Sequence, residues 1–209
     1  MTNPFQRDMR LVIVPAHTGT TKPDEVRWSR LAQPNLHTWT GPHQELRLVA
    51  KQRAPDDRDP QALACYGVVL RGLLDLADQM WVRFASGQPV SELTTQFLAW
   101  CCTKLAAAGV RAWVLIWDNA SGHTSKQVRS WLRAHNRTVK HAGHGVRMVP
   151  GYLPTKSPWL NPIEPKWIHG KRAVLEPERV LTTDELEARV YAYYRCTPDS
   201  HLVIPDKAA

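Results

Sequence analysis

From Ala112 to Asn119 the chain reads Ala-Trp-Val-Leu-Ile-Trp-Asp-Asn. Six apolar residues in a row, rich in aromatic and branched side chains, are too few for an ordinary helix and predict a strand buried on both faces. Such a strand sits inside a sheet covered by helices, so it restricts the chain to a layered α/β architecture. It also ends on an acid, and so delivers the Asp118 carboxylate to the rim of a rigid sheet.

The rest of the chain predicts the partners of that strand. Val26 to Leu31 alternates like a half-buried strand, as does Glu45 to Ala50. Ala62 to Leu70 is almost wholly apolar, and Met80 to Ala85 follows after a short connection. Short connections between strands imply antiparallel pairing. Leu11 to Val14 is a further candidate strand, cut off by Pro15. Ser91 to Ala108 is a helix, with Glu92 in its first turn, Gly109 beyond its end and an apolar face of Leu93, Phe97, Trp100, Cys101, Leu105 and Ala108. A tight loop at Ser121–Thr124 precedes a second helix from Ser125 to about His135. A basic polar loop is expected over Asn136–Gly145, then a strand at Val146–Val149 and a Pro-rich loop to Pro162. A helix starting near Asn161–Glu164 carries Ile163, Trp167, Gly170 and Val174, and Thr182 to Glu185 forms a capping box for a last helix to about Arg195. The fold class is therefore α/β: a mixed sheet, antiparallel first and then joined by helical crossovers, flanked by helices. Residues 24–195 form the expected domain, 1–23 a segment of uncertain assignment and 196–209 a loose tail.

With 209 residues, 43% of them hydrophobic, the chain suits a single packed domain. A net charge of +8 favours a polyanionic partner, nucleic acid before a membrane surface. Lys126, Arg129 and Arg133, followed by Arg137 and Lys140, suit contact with phosphates. The four cysteines form no Cys-x-x-Cys pair, which argues against a zinc site or a disulfide framework and for buried thiols in a cytoplasmic protein. No apolar run approaches the roughly 20 residues of a membrane span, and Met1–Arg10 holds no signal-peptide core.

Two carboxylates stand at the ends of rigid elements: Asp118 after its strand, and Glu164 in Ser157-Pro-Trp-Leu-Asn-Pro-Ile-Glu-Pro-Lys-Trp167. Hard divalent cations take such oxygen ligands. From the residues alone other readings stand beside this one. Asp118-Asn119 suits an Asx turn, and Asn161-Pro162-Ile163-Glu164 suits a helix cap with Asn at the cap and Pro at the first helical position, although Pro165 argues against that register.

The pair Trp117-Asp-Asn-Ala-Ser-Gly-His123 and Tyr152-Leu-Pro-Thr-Lys-Ser-Pro-Trp-Leu-Asn-Pro-Ile-Glu-Pro-Lys-Trp167 resembles the catalytic core of DDE transposases, in particular the mariner-related insertion sequence 630 family of bacteria. Asp24-Glu25-Val26-Arg27-Trp28 is similar to that family's first Asp-Glu element. The resemblance covers residues 24–195. It implies an RNase H-like fold, with Asp24, Asp118 and Glu164 as catalytic metal ligands. It implies Mg²⁺ or Mn²⁺, two ions in number, DNA as substrate and partner, and cleavage with strand transfer at transposon ends. Asn119, His123 and Asn161 are expected to shape the site, and Lys156 and Lys166 to join Lys126, Arg129 and Arg133 on DNA. Relatives commonly act as homodimers. No helix-turn-helix precedes Asp24, so a catalytic domain alone is expected; the 45 residues between Asp118 and Glu164 are a longer interval than usual. The alternatives are an inactive remnant that only binds DNA, favoured by the polar Thr18–Pro23 before Asp24, and another RNase H-like nuclease.

Overall fold

The computed structural model describes residues 26–34, 50–70, 79–87, 90–119, 121–154 and 160–204, together with the backbone of 9–13. In chain order the elements are β1 (Met9–Ile13), β2 (Val26–Ser29), β3 (Ala62–Leu70), β4 (Gln79–Ala85), α1 (Ser91–Ala107), β5 (Ala112–Trp117), α2 (Ser121–Thr124), α3 (Lys126–Ala142), β6 (Arg147–Tyr152), α4 (Ile163–Ala173) and α5 (Thr183–Tyr194). The strands make one six-stranded mixed sheet. β3 pairs antiparallel with β4, β2 and β1, while β5 runs parallel to both β1 and β6. Each parallel step follows a helical crossover, as parallel strands require.

The alternation of side chains splits the core into two layers. On one face Ala64, Val68 and Leu70 of β3 and Trp113, Leu115 and Trp117 of β5 pack beneath α1 and α3. On the other, Leu63, Cys65 and Val69 of β3, Trp28 of β2 and alternate residues of β4 pack beneath α4 and α5. The expected helix-flanked mixed sheet is the observed one. β4 occupies one edge of β3 from Ala64 to Leu70, so β2 and β1 share the other edge. β2 lies opposite Ala62–Cys65 and β1 opposite Val69 and Leu70.

Several boundaries differ from the sequence reading. α3 does not stop near His135. It runs on to Ala142 through the stretch expected to be a loop, because nothing before Gly143 breaks it, and Gly143 closes it with a left-handed φ of 70°. Ser121–Thr124 is one helical turn instead of a tight loop. β6 extends to Tyr152 despite Pro150, since an edge strand tolerates a missing N–H. α4 begins at Ile163, with Pro162 as its cap residue. Pro165 then falls in the first turn, where no intrahelical N–H bond is required. The expected loose tail is docked: Leu202 is buried and exchanges backbone bonds with Phe84 and Ser86 at 2.9 Å each. Residues 45–49 of an expected strand lie outside the described residues. Among the described residues no helix is long and apolar enough to cross a membrane.

Candidate active site

Asp118 follows the last residue of β5. Trp113, Leu115 and Trp117 point into the α1/α3 layer, so by alternation Ala112, Val114 and Ile116 belong to the other face of β5, and Asp118 stands just past its end. The strand end is tied to the neighbouring chain. Leu153 N–H donates to the Trp117 carbonyl at 2.8 Å, and the Asn119 amide donates to the Leu153 carbonyl at 2.7 Å. His123, carried by the single turn α2, puts Nδ1 3.0 Å from Asp118 Oδ1. A carboxylate only accepts, so the proton sits on Nδ1. The His123 ring stacks on Trp117 at 4.8 Å and 15°, which fixes its plane. Asp118 keeps 19% of its side chain open to solvent and His123 only 8%.

Glu164 lies in the first turn of α4. Asn161, buried before it, accepts from the Ile163 N–H through its side chain and from the Glu164 N–H through its carbonyl. The cap therefore works one residue earlier than the ordinary register. α4 is pressed onto the sheet by Trp167. A Cβ on Gly67 of β3 would stand 2.6 Å from the Trp167 ring, so only glycine admits it. Trp28, Trp167 and Tyr194 meet edge to face at 5.6 to 6.2 Å, and the Tyr194 hydroxyl donates to the Lys166 carbonyl at 2.9 Å. These contacts seat α4, and with it the start that carries Glu164, on the sheet.

Asp118, Asn119 and His123 are thus gathered at one strand end, and Glu164 and Asn161 stand at the start of α4. Lys166 lies on the first turn of α4, while Lys126, Arg129 and Arg133 lie exposed along α3. Asp24 and Lys156 lie outside the described residues. Among the described residues no three His, Cys, Asp or Glu side chains form a metal-holding group. The donor types present suit a hard cation: carboxylate oxygens, with no thiolate available. Burial pushes the Cys65 and Cys101 thiols well up and that of Cys102 up to about 12, so they stay neutral and act as apolar packing. The Leu153 carbonyl that holds Asn119 had no signal in the sequence, because it is brought there by pairing of β5 with β6.

A family model described as DDE superfamily endonuclease matches residues 46–187. The chain belongs to that family. Among solved structures, the Mos1 transposase paired-end complex with left transposon end matches with a TM-score of 0.59 at 14% identity, covering 90% of this chain and 48% of that one. The Mos1 strand transfer complex matches with a TM-score of 0.55 at the same identity and coverage. The chain spans about half the length of these structures. At such identity the likeness is one of fold, and it makes the sheet of this DDE superfamily endonuclease RNase H-like. No curated protein matches the sequence.

Proposed function

We propose that the chain is the catalytic domain of a metal-dependent transposase of the insertion sequence 630 type, which cleaves and joins DNA strands at transposon ends. Asp24, Asp118 and Glu164 hold two divalent cations, Mg²⁺ or Mn²⁺. The observation that carries this reading is that Asp118, bonded to His123, ends a central strand of an RNase H-like sheet, and that Glu164 opens a helix seated on that sheet by Trp167. The two solved transposases are DNA complexes by their titles, which supports DNA as the partner.

Asp24 enters as third ligand on the family resemblance, since it lies outside the described residues.

Asp24, Asp118 and Glu164 would hold the cations, whose chemistry there would be to lower the pKa of an attacking water or 3′-hydroxyl and to offset charge on the phosphate oxygens. The protein's own work is positioning. His123 orients the Asp118 carboxylate, Asn119 fixes the turn behind it, and Asn161 starts the helix that presents Glu164. Lys126, Arg129, Arg133, Lys156 and Lys166 contact the DNA backbone. Action as a homodimer in a bacterial cytoplasm follows from the family resemblance.

One observation favours the second reading, a remnant that binds DNA without cutting it. Twelve residues, 14–25, join Ile13 to Val26, whose partners on β3 are separated by only Tyr66, Gly67 and Val68. Nicking of a duplex substrate in Mg²⁺ or Mn²⁺ tests both. Activity that disappears in Asp24→Ala, Asp118→Ala and Glu164→Ala, with DNA binding kept, supports the enzyme. Cleavage that survives in Asp118→Ala or Glu164→Ala overturns the assignment, and a wild-type chain that binds but never nicks is the remnant.

A further inference from the structure

The excess positive charge of this chain is almost all in one place. Between Asp118 and Glu164 there is no Asp or Glu, while Lys126, Arg129, Arg133, Arg137, Lys140, Arg147 and Lys156 stand there. These seven cations nearly account for the net charge of +8. Five of them fall on α3 at successive spacings of three, four, four and three residues, which confines them to an arc of about 80° and spreads them over about 21 Å of helix axis. All five are exposed, as is Arg147 at the start of β6. Arg133, Arg137, Lys140 and Arg147 line one shallow cleft with Asn136.

Two features separate this row from an ordinary solvated helix face. First, five arginines elsewhere have carboxylate partners: Arg30 with Asp57, Arg53 with Asp57, Arg83 with Asp199, Arg179 with Glu185 and Arg189 with Glu176. Among the described residues none of the six cations of α3 and β6 makes an ion pair. Second, the helix that carries them is pinned. Ser125 caps it, Val128 and Leu132 bury its other face, and His135 Nε2 donates to the Val146 carbonyl at 2.8 Å. The Asn136 amide both donates to and accepts from the Met148 backbone, at 2.7 and 2.9 Å.

The row also has a direction. Its first member, Lys126, comes three residues after His123, beside Asp118. Its far end, Arg147, pairs in register with Ala112, at the opposite end of β5 from Asp118. Six residues of strand are about 20 Å, or about six phosphates of one DNA strand at 3.4 Å each.

We propose that Lys126, Arg129, Arg133, Arg137, Lys140 and Arg147 form a rail that tracks one backbone of duplex DNA away from the carboxylates for about six base pairs. The proposal rests on the reading of DNA as the substrate, and extends the binding surface beyond the cutting site to Arg137, Lys140 and Arg147. Phosphate contacts of this kind set position and carry no sequence information.

The test measures the dissociation constant of a 30-base-pair duplex of arbitrary sequence against salt, in EDTA so that no cutting occurs. The wild type is compared with Arg133→Ser/Arg137→Ser/Lys140→Ser, and circular dichroism and Tm confirm that the exposed changes leave the fold intact. The expected result is a slope of log K against log salt that flattens by about 0.9 for each phosphate no longer neutralised, or about 2 to 3 in all. Arg133→Lys/Arg137→Lys should keep the slope. A second expectation is that substrates with fewer than about six base pairs on one side of the cut bind wild type and triple variant alike. An unchanged slope overturns the rail, as does a weakening confined to duplex RNA. Asp118→Ala serves as the independent control. It removes cutting and leaves the slope alone, so failure of the catalytic reading and failure of the rail are told apart.

Discussion

His123 sandwiches its ring against Trp117 and aims Nδ1 at Asp118, an arrangement in which one ring decides which way a carboxylate faces. On the proposed reading Asp118 is a metal ligand, and the partner of such a ligand typically contributes about 10- to 100-fold in affinity or activity. His123→Ala is therefore expected to lower nicking by about that factor, to weaken Mn²⁺ binding measured by calorimetry, and to leave the salt slope of DNA binding unchanged. The same scale holds a second cluster, far from the chemistry. Arg30, almost wholly buried, makes a two-pronged contact with Asp57 at 2.8 and 3.2 Å and also donates to the carbonyls of Asp59, Pro60 and Leu181. The Arg30 guanidinium is the main reason that the Asp57 carboxyl is held down to about 2. A carboxyl depressed in the folded state stabilises it above the unfolded value near 4 and loses that contribution as pH falls toward 2. Asp57→Asn should therefore lower Tm at neutral pH and flatten the fall of Tm between about pH 4 and 2. The sequence had no way to name Arg30 as the partner of Asp57, because that contact spans 27 residues and exists only once β2 lies along β3.

At the scale of elements, α4 and α3 differ in how they are held. α4 depends on shape: Trp167 fills the space that Gly67 leaves open. Gly67→Ala should push Trp167 outward, cost about 1 to 3 kcal/mol by overpacking, and move Glu164 with the helix. Nicking should then fall more steeply than the Tm measured on the same protein predicts. α3 depends on polar pairing, since Asn136 satisfies both backbone groups of Met148 on the outer edge of β6. Asn136→Ala leaves both without a partner and should cost about 1 to 3 kcal/mol in urea unfolding, with greater aggregation as the edge opens. Element types were legible from period and punctuation: the capping box at Thr182 is present as read, and Ala62–Leu70 is the strand predicted. The length of α3 was not legible. Asn136 and Gly145 look like loop residues in sequence, but Asn136 spends its amide on β6 and the helix continues beneath it.

Across the whole molecule the last residues close the fold instead of trailing from it. Leu202 pairs with the end of β4, Trp100 Nε1 donates to Asp199 at 2.7 Å, Arg83 donates to the Ser200 carbonyl at 2.7 Å, and His201 meets Glu187 at 2.9 Å. Deleting residues 197–209 should lower Tm by several degrees at least, because it uncovers the buried Leu202 site and strips partners from α1, β4 and α5 together; an unchanged melting curve counts against the docking. The sequence by itself determined a layered α/β fold with apolar central strands, the acids at the end of β5 and the start of α4, and an acid-free basic stretch between them. These follow from local period, local chemistry and composition, which neighbouring residues carry. Only the tertiary structure decided that His123 meets Asp118 over Trp117, that the basic residues form a single straight row reaching the far end of β5, and that Leu202 is part of the core. Each of those depends on strand register and helix packing, where the physical partner of a side chain is chosen by the fold.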